Sequence, residues 1–417
     1  MTPLAKAPGD GRPRLLVLAQ CLPYPPVSGV RSRTFNMLRE LQRGFEVTVL
    51  PFSRANHQPH AQDRANAREM LQRILTAVGE PIPIPSEEHV ARRLWDHTRS
   101  VLTRRSYTYF EYRSAAFTEQ LTAMLRRQQP DLVHLDSIDL HGFLADLPRV
   151  PVACTHHDIE PQLLRIRATR TRAPFVGAYL RYQADLVEHL MAAVCPTLGL
   201  NVMMSRVDAA RLRAIAASAK LHVAPNGVDT EYFRPMPDIE EVSGRVVFVG
   251  PMYQFANWDA LAYLVEDIWP RVRARRADAS LVLVGDGSAA DRARFGGASG
   301  VTAVGQVADV RPFLAQASCV AAPLRVGGGT RLKILDAWAM GKAVVSTTIG
   351  CEGLDTVDGT NIVIRDTAAD LAEAILSLLG DRDLRRRIGP SGRDTVELEY
   401  SWAFIGENLC RAYRELI

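Results

Sequence analysis

Short apolar runs bounded by turn residues alternate with longer amphipathic stretches along nearly the whole chain, and this alternation limits the fold more than any other feature. RLLVLA at 14–19 is followed by a polar turn and a helix-like stretch from about Arg31 to Arg43. EVTVL at 46–50, DLVHL at 131–135, VACTH at 152–156, LNVMMS at 200–205 and LHVAP at 221–225 continue the series. After Pro225 the connector NGVDTEYFRPMP interrupts it. A second series then begins with RVVFVG at 245–250, SLVLVG at 280–285, VTAVG at 301–305, CVAAP at 319–323, AVVST at 343–347 and NIVIR at 361–365. Strands that are each returned by a helix make parallel sheets covered by helices. Two such series predict an α/β chain of two Rossmann-like domains with a cleft between them, the first ending at residue 225 and the second starting at 226. The segment from Ala55 to about Gln129 reads as mainly helical, broken at PIPIPSEEH (81–89), and as an insertion or cap over the first domain.

Bulk properties agree with two soluble domains. At 417 residues the chain exceeds the size at which one core stops growing. A net charge of +4 does not mark a nucleic-acid binder. No apolar window approaches the roughly 18 residues that span a bilayer. MTPLAKAPGDGRP has no apolar run before Leu15 and reads as a loose tail rather than a signal peptide. The six cysteines are scattered without a CxxC pair, as expected of reduced, buried thiols in a cytoplasmic protein. Arg165, Arg167, Arg170, Arg172 and Arg181 stand among Leu, Phe and Tyr. Such a segment suits either a solvated helix face or peripheral contact with the inner face of an anionic membrane.

The most informative stretch is PLRVGGGTRLKILDAWAMGKAVVSTTIGCEGL, residues 323–354. Gly327, Gly328 and Gly329 separate a strand from a helix expected to begin near Thr330. Glycines let the backbone approach a ligand, and the free N–H groups of a helix start carry the positive end of its dipole. Together they make an anion site suited to a diphosphate, beyond the carboxyl end of a strand. Lys333 and Asp336 are three residues apart and share one helix face. The ammonium can neutralise phosphate, and the carboxylate can accept from a ribose diol. Arg325 and Arg331 add positive charge. Gly250, Pro251, Met252 and Asn257 follow the first strand of the second series and line the same cleft, although Asn257 equally fits a helix cap. Gly285-Asp286-Gly287 ends the next strand and shapes the nucleotide pocket. No GxGxxG or GxxxxGK[ST] is complete.

These motifs, with the Pro-Asn-Gly-Val-Asp connector at 225–229, resemble the retaining GT-B glycosyltransferases of family 4 over nearly the whole chain. The family usually carries two glutamates separated by seven residues, the second binding ribose and the first the transferred sugar. Asp336 matches the second, whereas Gly328 stands where the first is expected. A branch with GGGTRLKILEA-like motifs has the same substitution. The family's arginine–lysine pair after the first strand of the C-terminal domain is also absent from GPMYQFANWDAL (250–261), which leaves Lys333, Arg325 and Arg331 to stabilise the leaving diphosphate. The resemblance further implies that Gly29 faces the donor phosphates, that backbone groups at Gln306-Val307 meet the base, and that His157 approaches the transferred sugar. It also implies that residues 400–417 form a helix crossing back onto the first domain, so that the second domain proper covers 226–399.

The expected activity is that of a hexosyltransferase moving sugar from a nucleoside diphosphate-sugar, UDP on family grounds, to an acceptor hydroxyl on a glycan, a lipid-linked sugar or a small molecule. No metal or other cofactor is expected. Asp381 and Asp383 echo a metal-binding DxD but sit in a polar helix-linker context, and adjacent histidines at 156 and 157 point to opposite faces of a strand, which disfavours zinc. Arg31 and Arg33 read as surface arginines. Glu160 either orients the site or caps a helix. Cell-envelope or exopolysaccharide synthesis is the expected setting, with natural-product glycosylation as the alternative. Two rivals stay open: a nucleotide-sugar 2-epimerase of the same fold, and a non-catalytic nucleotide-sugar binder.

Overall fold

The protein is described by a computed structural model covering residues 11–26, 29–171, 173–326 and 331–417. The chain divides into two compact units, Met1–Pro225 with Gly406–Ile417, and Asn226–Ile405.

The first unit is built on β1 (Arg14–Ala19), β2 (Glu46–Ser53), β3 (Ala77–Val78), β4 (Ile82–Pro83), β5 (Leu132–Leu135), β6 (Val152–His156), β7 (Leu200–Met203) and β8 (Leu221–Val223). They lie in the order β3-β2-β1-β5-β6-β7-β8, with β4 against the end of β2, and every pair is parallel. Strands covered on both faces read as continuous apolar runs, and β1 and β2 are buried at nearly every position. The expectation for 55–129 needs correcting, because β3 and β4 within it extend the sheet. Two-residue strands are too short to show a period, and Pro83 is tolerated because β4 lies at an edge. The rest of the segment is helical, at Ala61–Gln72, Pro85–Glu88, Val90–Thr103, Tyr107–Tyr112 and Ala115–Gln128. Phe52 of β2 stacks on Phe117 with centroids 4.1 Å apart, and Phe117 meets Phe143 at 4.6 Å.

The final helix, Trp402–Arg414, completes this unit from Gly406 onward. A Cβ on Gly406 would lie 2.2 Å from Cβ of Glu40, so only glycine lets it pack so closely on the helix Gly29–Gly44. The Tyr413 hydroxyl lies 2.7 Å from Nδ1 of His134, whose Nε2 is 3.2 Å from the Thr155 hydroxyl. Burial pushes the His134 pKa down to about 4, so a neutral imidazole links β5, β6 and the final helix.

The second unit carries β9 (Arg245–Val249), β10 (Ser280–Val284), β11 (Val301–Gly305), β12 (Cys319–Ala322), β13 (Val344–Ser346) and β14 (Val363–Ile364) in the order β11-β10-β9-β12-β13-β14, again all parallel. Successive side chains of β9 enter opposite cores. Phe248 packs with Leu264, Trp269 and Ile375, whereas Val247 packs with Leu314, Leu335 and Trp338. All six cysteines are buried and free. Among the described residues no helix is long and apolar enough to cross a membrane.

Replacing Tyr413 with Phe leaves Nδ1 of a buried histidine without its hydroxyl partner. The expected loss is about 1–3 kcal/mol, read as a lower urea midpoint for unfolding of the first unit with an unchanged slope.

Candidate functional site

The strand order of the second unit reverses once. From β9 the chain moves outward through β10 and β11, then returns to the other side of β9 as β12. Ligands of open parallel sheets bind outside the carboxyl ends of strands at such a reversal. Here those ends are Gly250, after β9, and Pro323-Leu324-Arg325, after β12.

Lys333, on the helix Leu332–Ala339, reaches this edge. Its Nζ donates to Oδ1 of Asn257 at 2.6 Å and lies 4.2 Å from the ring centroid of Phe248. Asn257 is itself fixed, donating from Nδ2 to the carbonyl of Pro251 at 2.9 Å. It therefore braces a cation and caps no helix, since the helix Phe255–Ala262 has Gln254 at its N-cap. Gly250 is confined between them: a Cβ there would lie 2.9 Å from the Asn257 amide nitrogen and 3.0 Å from Nζ. Burial, and after it the charge of Arg331, pushes the Lys333 pKa down to about 7. Burial alone pushes the Asp336 carboxyl up to about 7. Lys333 and Asp336 are each half-buried as residues. Among the described residues no carboxylate pairs with Lys333.

The other positive charges are more committed. Arg325 holds Asp259 through two bonds of 2.8 and 3.1 Å and stacks on Tyr263. Arg331 is buried and donates to the carbonyl of Ile349 at 2.9 Å, tying the start of the Lys333 helix to the loop after β13. Gly285 and Gly287 shape the neighbouring turn. Gly285 has φ +153°, and a Cβ on it would sit 2.1 Å from the Gly250 carbonyl oxygen. Asp286 accepts from the Met252 backbone at 2.6 Å through its carbonyl, with its side chain exposed. Met252 is a correction: its side chain is wholly buried against the position of Gly287 and belongs to the core, so only its backbone remains at this edge. Val307 lies beyond β11, half-buried against the second core. Gly327, Gly328, Gly329 and Thr330 lie outside the described residues.

In the first unit the strand order reverses between β1 and β5. Asp136 directly follows β5, is buried, and accepts the Thr34 hydroxyl at 3.0 Å on either carboxylate oxygen. His157, just past β6, brings Nε2 to 3.6 Å from Asp136 Oδ1. His156 turns the other way and bonds Asn201 Oδ1 at 2.9 Å. Burial lowers its pKa to about 4, as for a structural histidine. Glu160 opens the helix Glu160–Arg170, and burial raises its carboxyl to about 7. Gly29 opens the helix Gly29–Gly44.

Arg31 and Arg33 are a second correction, for both are buried. Arg33 donates to the carbonyls of Ala224 and Pro225 at 2.7 and 2.8 Å, which supplies polar partners inside the fold. Asp136 and Thr34 were not singled out from sequence, although the position of Asp136 immediately after DLVHL was a usable signal. Asp381 caps the helix Arg382–Thr395 through Leu384 N. Among the described residues no group of His, Cys, Asp or Glu could hold a metal ion.

Two family profiles match this chain in succession: Glycosyltransferase Family 4 over residues 27–232, and Glycosyl transferases group 1 over residues 243–381. The chain belongs to glycosyltransferase family 4. A GDP-mannose-dependent monoacylated alpha-(1-6)-phosphatidylinositol monomannoside mannosyltransferase of Corynebacterium glutamicum is 33% identical over 152 residues, 34% of this chain and 40% of that protein. A GDP-mannose-dependent alpha-(1-6)-phosphatidylinositol monomannoside mannosyltransferase of Mycobacterium tuberculosis is 30% identical over 221 residues, 47% of this chain and 56% of that protein. The match thus spans about half the length of these curated relatives. A sucrose-phosphate synthase from Thermosynechococcus elongatus superposes with a TM-score of 0.69 at 17% identity, covering 97% of this chain and 99% of that one. The two parallel α/β units are those of the GT-B fold.

In this family-4 chain the turn after β10 and the turn after β9 interlock through one glycine. Gly285→Ala would set a methyl group into the Gly250 carbonyl at a φ that disfavours any side chain. The expected outcome is a destabilisation of about 2 kcal/mol or more by denaturant titration. Asp286→Ala should leave stability within about 0.5 kcal/mol, because that side chain is exposed.

Proposed function

We propose that this chain transfers a hexose from a nucleoside diphosphate-sugar to an acceptor hydroxyl, with the second unit holding the donor. The observation that carries the proposal is the Lys333 ammonium, recessed at the β9/β12 reversal and held by an amide oxygen instead of a carboxylate. A diphosphate placed there supplies the anion that the protein does not. When the bond from sugar C1 to the phosphate oxygen breaks, positive charge develops on the sugar and negative charge on the departing diphosphate. Lys333 and the start of its helix stabilise the latter, a preorganised electrostatic effect. Asp336, one turn further along, accepts from the ribose hydroxyls. In the retaining route the departing phosphate oxygen takes the proton of the acceptor hydroxyl, so no protein nucleophile is required. In the first unit, His157 beside Asp136 is the residue proposed to position the reacting sugar and acceptor. No metal is needed where a lysine and a helix terminus carry the phosphate charge.

Family resemblance favours UDP, but the curated relatives are named as GDP-mannose enzymes, and their 30–33% identity is the stronger support. GDP-mannose is therefore the donor to test first. Their acceptor, a phosphatidylinositol mannoside, supports a lipid-linked or glycan acceptor in envelope synthesis.

Thermal-shift titration with GDP, UDP, ADP and TDP, with and without EDTA, tests the donor reading. A shift with one diphosphate, unchanged by EDTA, is the expected result; no shift with any of them would remove the proposed site. Lys333→Ala is expected to lower kcat about 10²–10³-fold while the unfolding midpoint moves little. Equal turnover would pass the phosphate role to Arg331 or Arg325.

Affinity for the intact nucleotide-sugar should peak near pH 7. Above it Lys333 is neutral in the free protein and must take up a proton to meet the diphosphate, so affinity falls as pH rises. Below it Asp336 is protonated and must lose a proton to accept from ribose, so affinity falls as pH falls. Calorimetry of Lys333→Met should show the alkaline limb gone and the acid limb kept.

A further inference from the structure

The helix Val90–Thr103 packs with its polarity reversed. Its only buried residues are Asp96 and Ser100. Asp96 is ion-paired to Arg92 at 2.8 Å, and Ser100 accepts from Gln183 at 2.7 Å while donating to the Arg105 carbonyl at 2.6 Å. At about 100° per residue the opposite side carries Val90, Leu94, Trp95 and Leu102. These are 65%, 63%, 55% and 72% exposed. Single exposed apolar residues are ordinary, but a helix that buries its acid and turns its leucines and tryptophan outward is not.

The neighbouring helix Pro174–Val194 extends the same surface. It meets the first through Tyr179, whose hydroxyl lies 2.6 Å from Nδ1 of His97, and through the Tyr182 hydroxyl on the Val101 carbonyl. One turn before Tyr179 stands Phe175, 89% exposed.

Arginines outnumber acids around this face. Residues 89–110 hold five arginines (92, 93, 99, 104 and 105) against one acid, the buried Asp96. Residues 161–183 hold five more and no acid. Arg165 is bound by Asp185 and Glu188, whereas Arg93, Arg104, Arg167 and Arg181 are exposed. An apolar helix face with an outward tryptophan and an arginine rim matches the interface of an anionic bilayer. A two-fold dimer through the same face would set arginine rim against arginine rim.

We propose that the outward face of Val90–Thr103, with Phe175 beside it, docks on an anionic lipid bilayer, the apolar residues entering the headgroup region and the arginines pairing with lipid phosphates. This docking does not rest on the donor-site reading, and its test reads vesicle binding instead of turnover. The full chain is floated with phosphatidylcholine vesicles with and without phosphatidylglycerol, alongside Leu94→Glu/Leu102→Glu and Arg93→Glu/Arg104→Glu. The wild type should float with the anionic vesicles, less so at high salt. Each double variant should bind about tenfold more weakly or worse, with the thermal midpoint and nucleotide affinity unchanged. Failure of the wild type to bind, or equal flotation of the leucine variant, would overturn the proposal. So would light scattering that shows a wild-type dimer split by Leu94→Glu/Leu102→Glu, which would make the face a contact between copies of this chain.

Discussion

No strand in an all-parallel sheet can be returned by a hairpin, so every one of these strands needs a crossover that runs back over a face of the sheet. Helices thereby cover both faces, and the edge left for chemistry is the one at the carboxyl ends. Each unit reverses its strand order once, at β1/β5 and at β9/β12. Asp136 and Gly250 directly follow strands at those reversals, and Lys333 reaches the second of them from its helix. Away from the two edges the strands are buried mainly by apolar side chains, and the buried polar groups among them, such as His134 and Asn201, are bonded within the fold.

Two lysines of the second unit differ in how the fold answers a buried charge. Burial lowers the pKa of both. Lys342 donates to the carbonyls of Ala315 and Ala317 and faces Glu241 at 3.8 Å, so its charge is answered within the fold. Lys333 has an amide oxygen and an aromatic face, partners that orient an ammonium without neutralising it. Burying a charge is costly unless it is paired. That cost is retained at Lys333 and relieved at Lys342, which is the arrangement expected where a ligand completes the pairing.

Much of this was legible in the chain itself. The strands of the second unit read as apolar runs, and the position of Lys333 and Asp336 on one short helix followed from spacing. What escaped was information that spacing does not carry. Thr34 and Asp136 meet across 102 residues. Arg33 looked like a surface residue because nothing local shows that two carbonyls wait for its guanidinium. Met252 follows a glycine at the site edge, yet its side chain turns inward. The helix Val90–Thr103 is the clearest case: a 3.6-residue period reveals that one face is apolar but not which way that face points.

Because Gly406–Ile417 belongs to the first unit, that unit is discontinuous in sequence. Tyr413 reaches the buried His134, and Cys410 packs against Gly44 of the first long helix. During synthesis the first sheet emerges early, but the helix that closes over it is translated only after all of Asn226–Ile405. The segment made first must therefore wait with an open seam while the segment made later can already fold, so the usual order of domain completion on the ribosome is inverted in this chain.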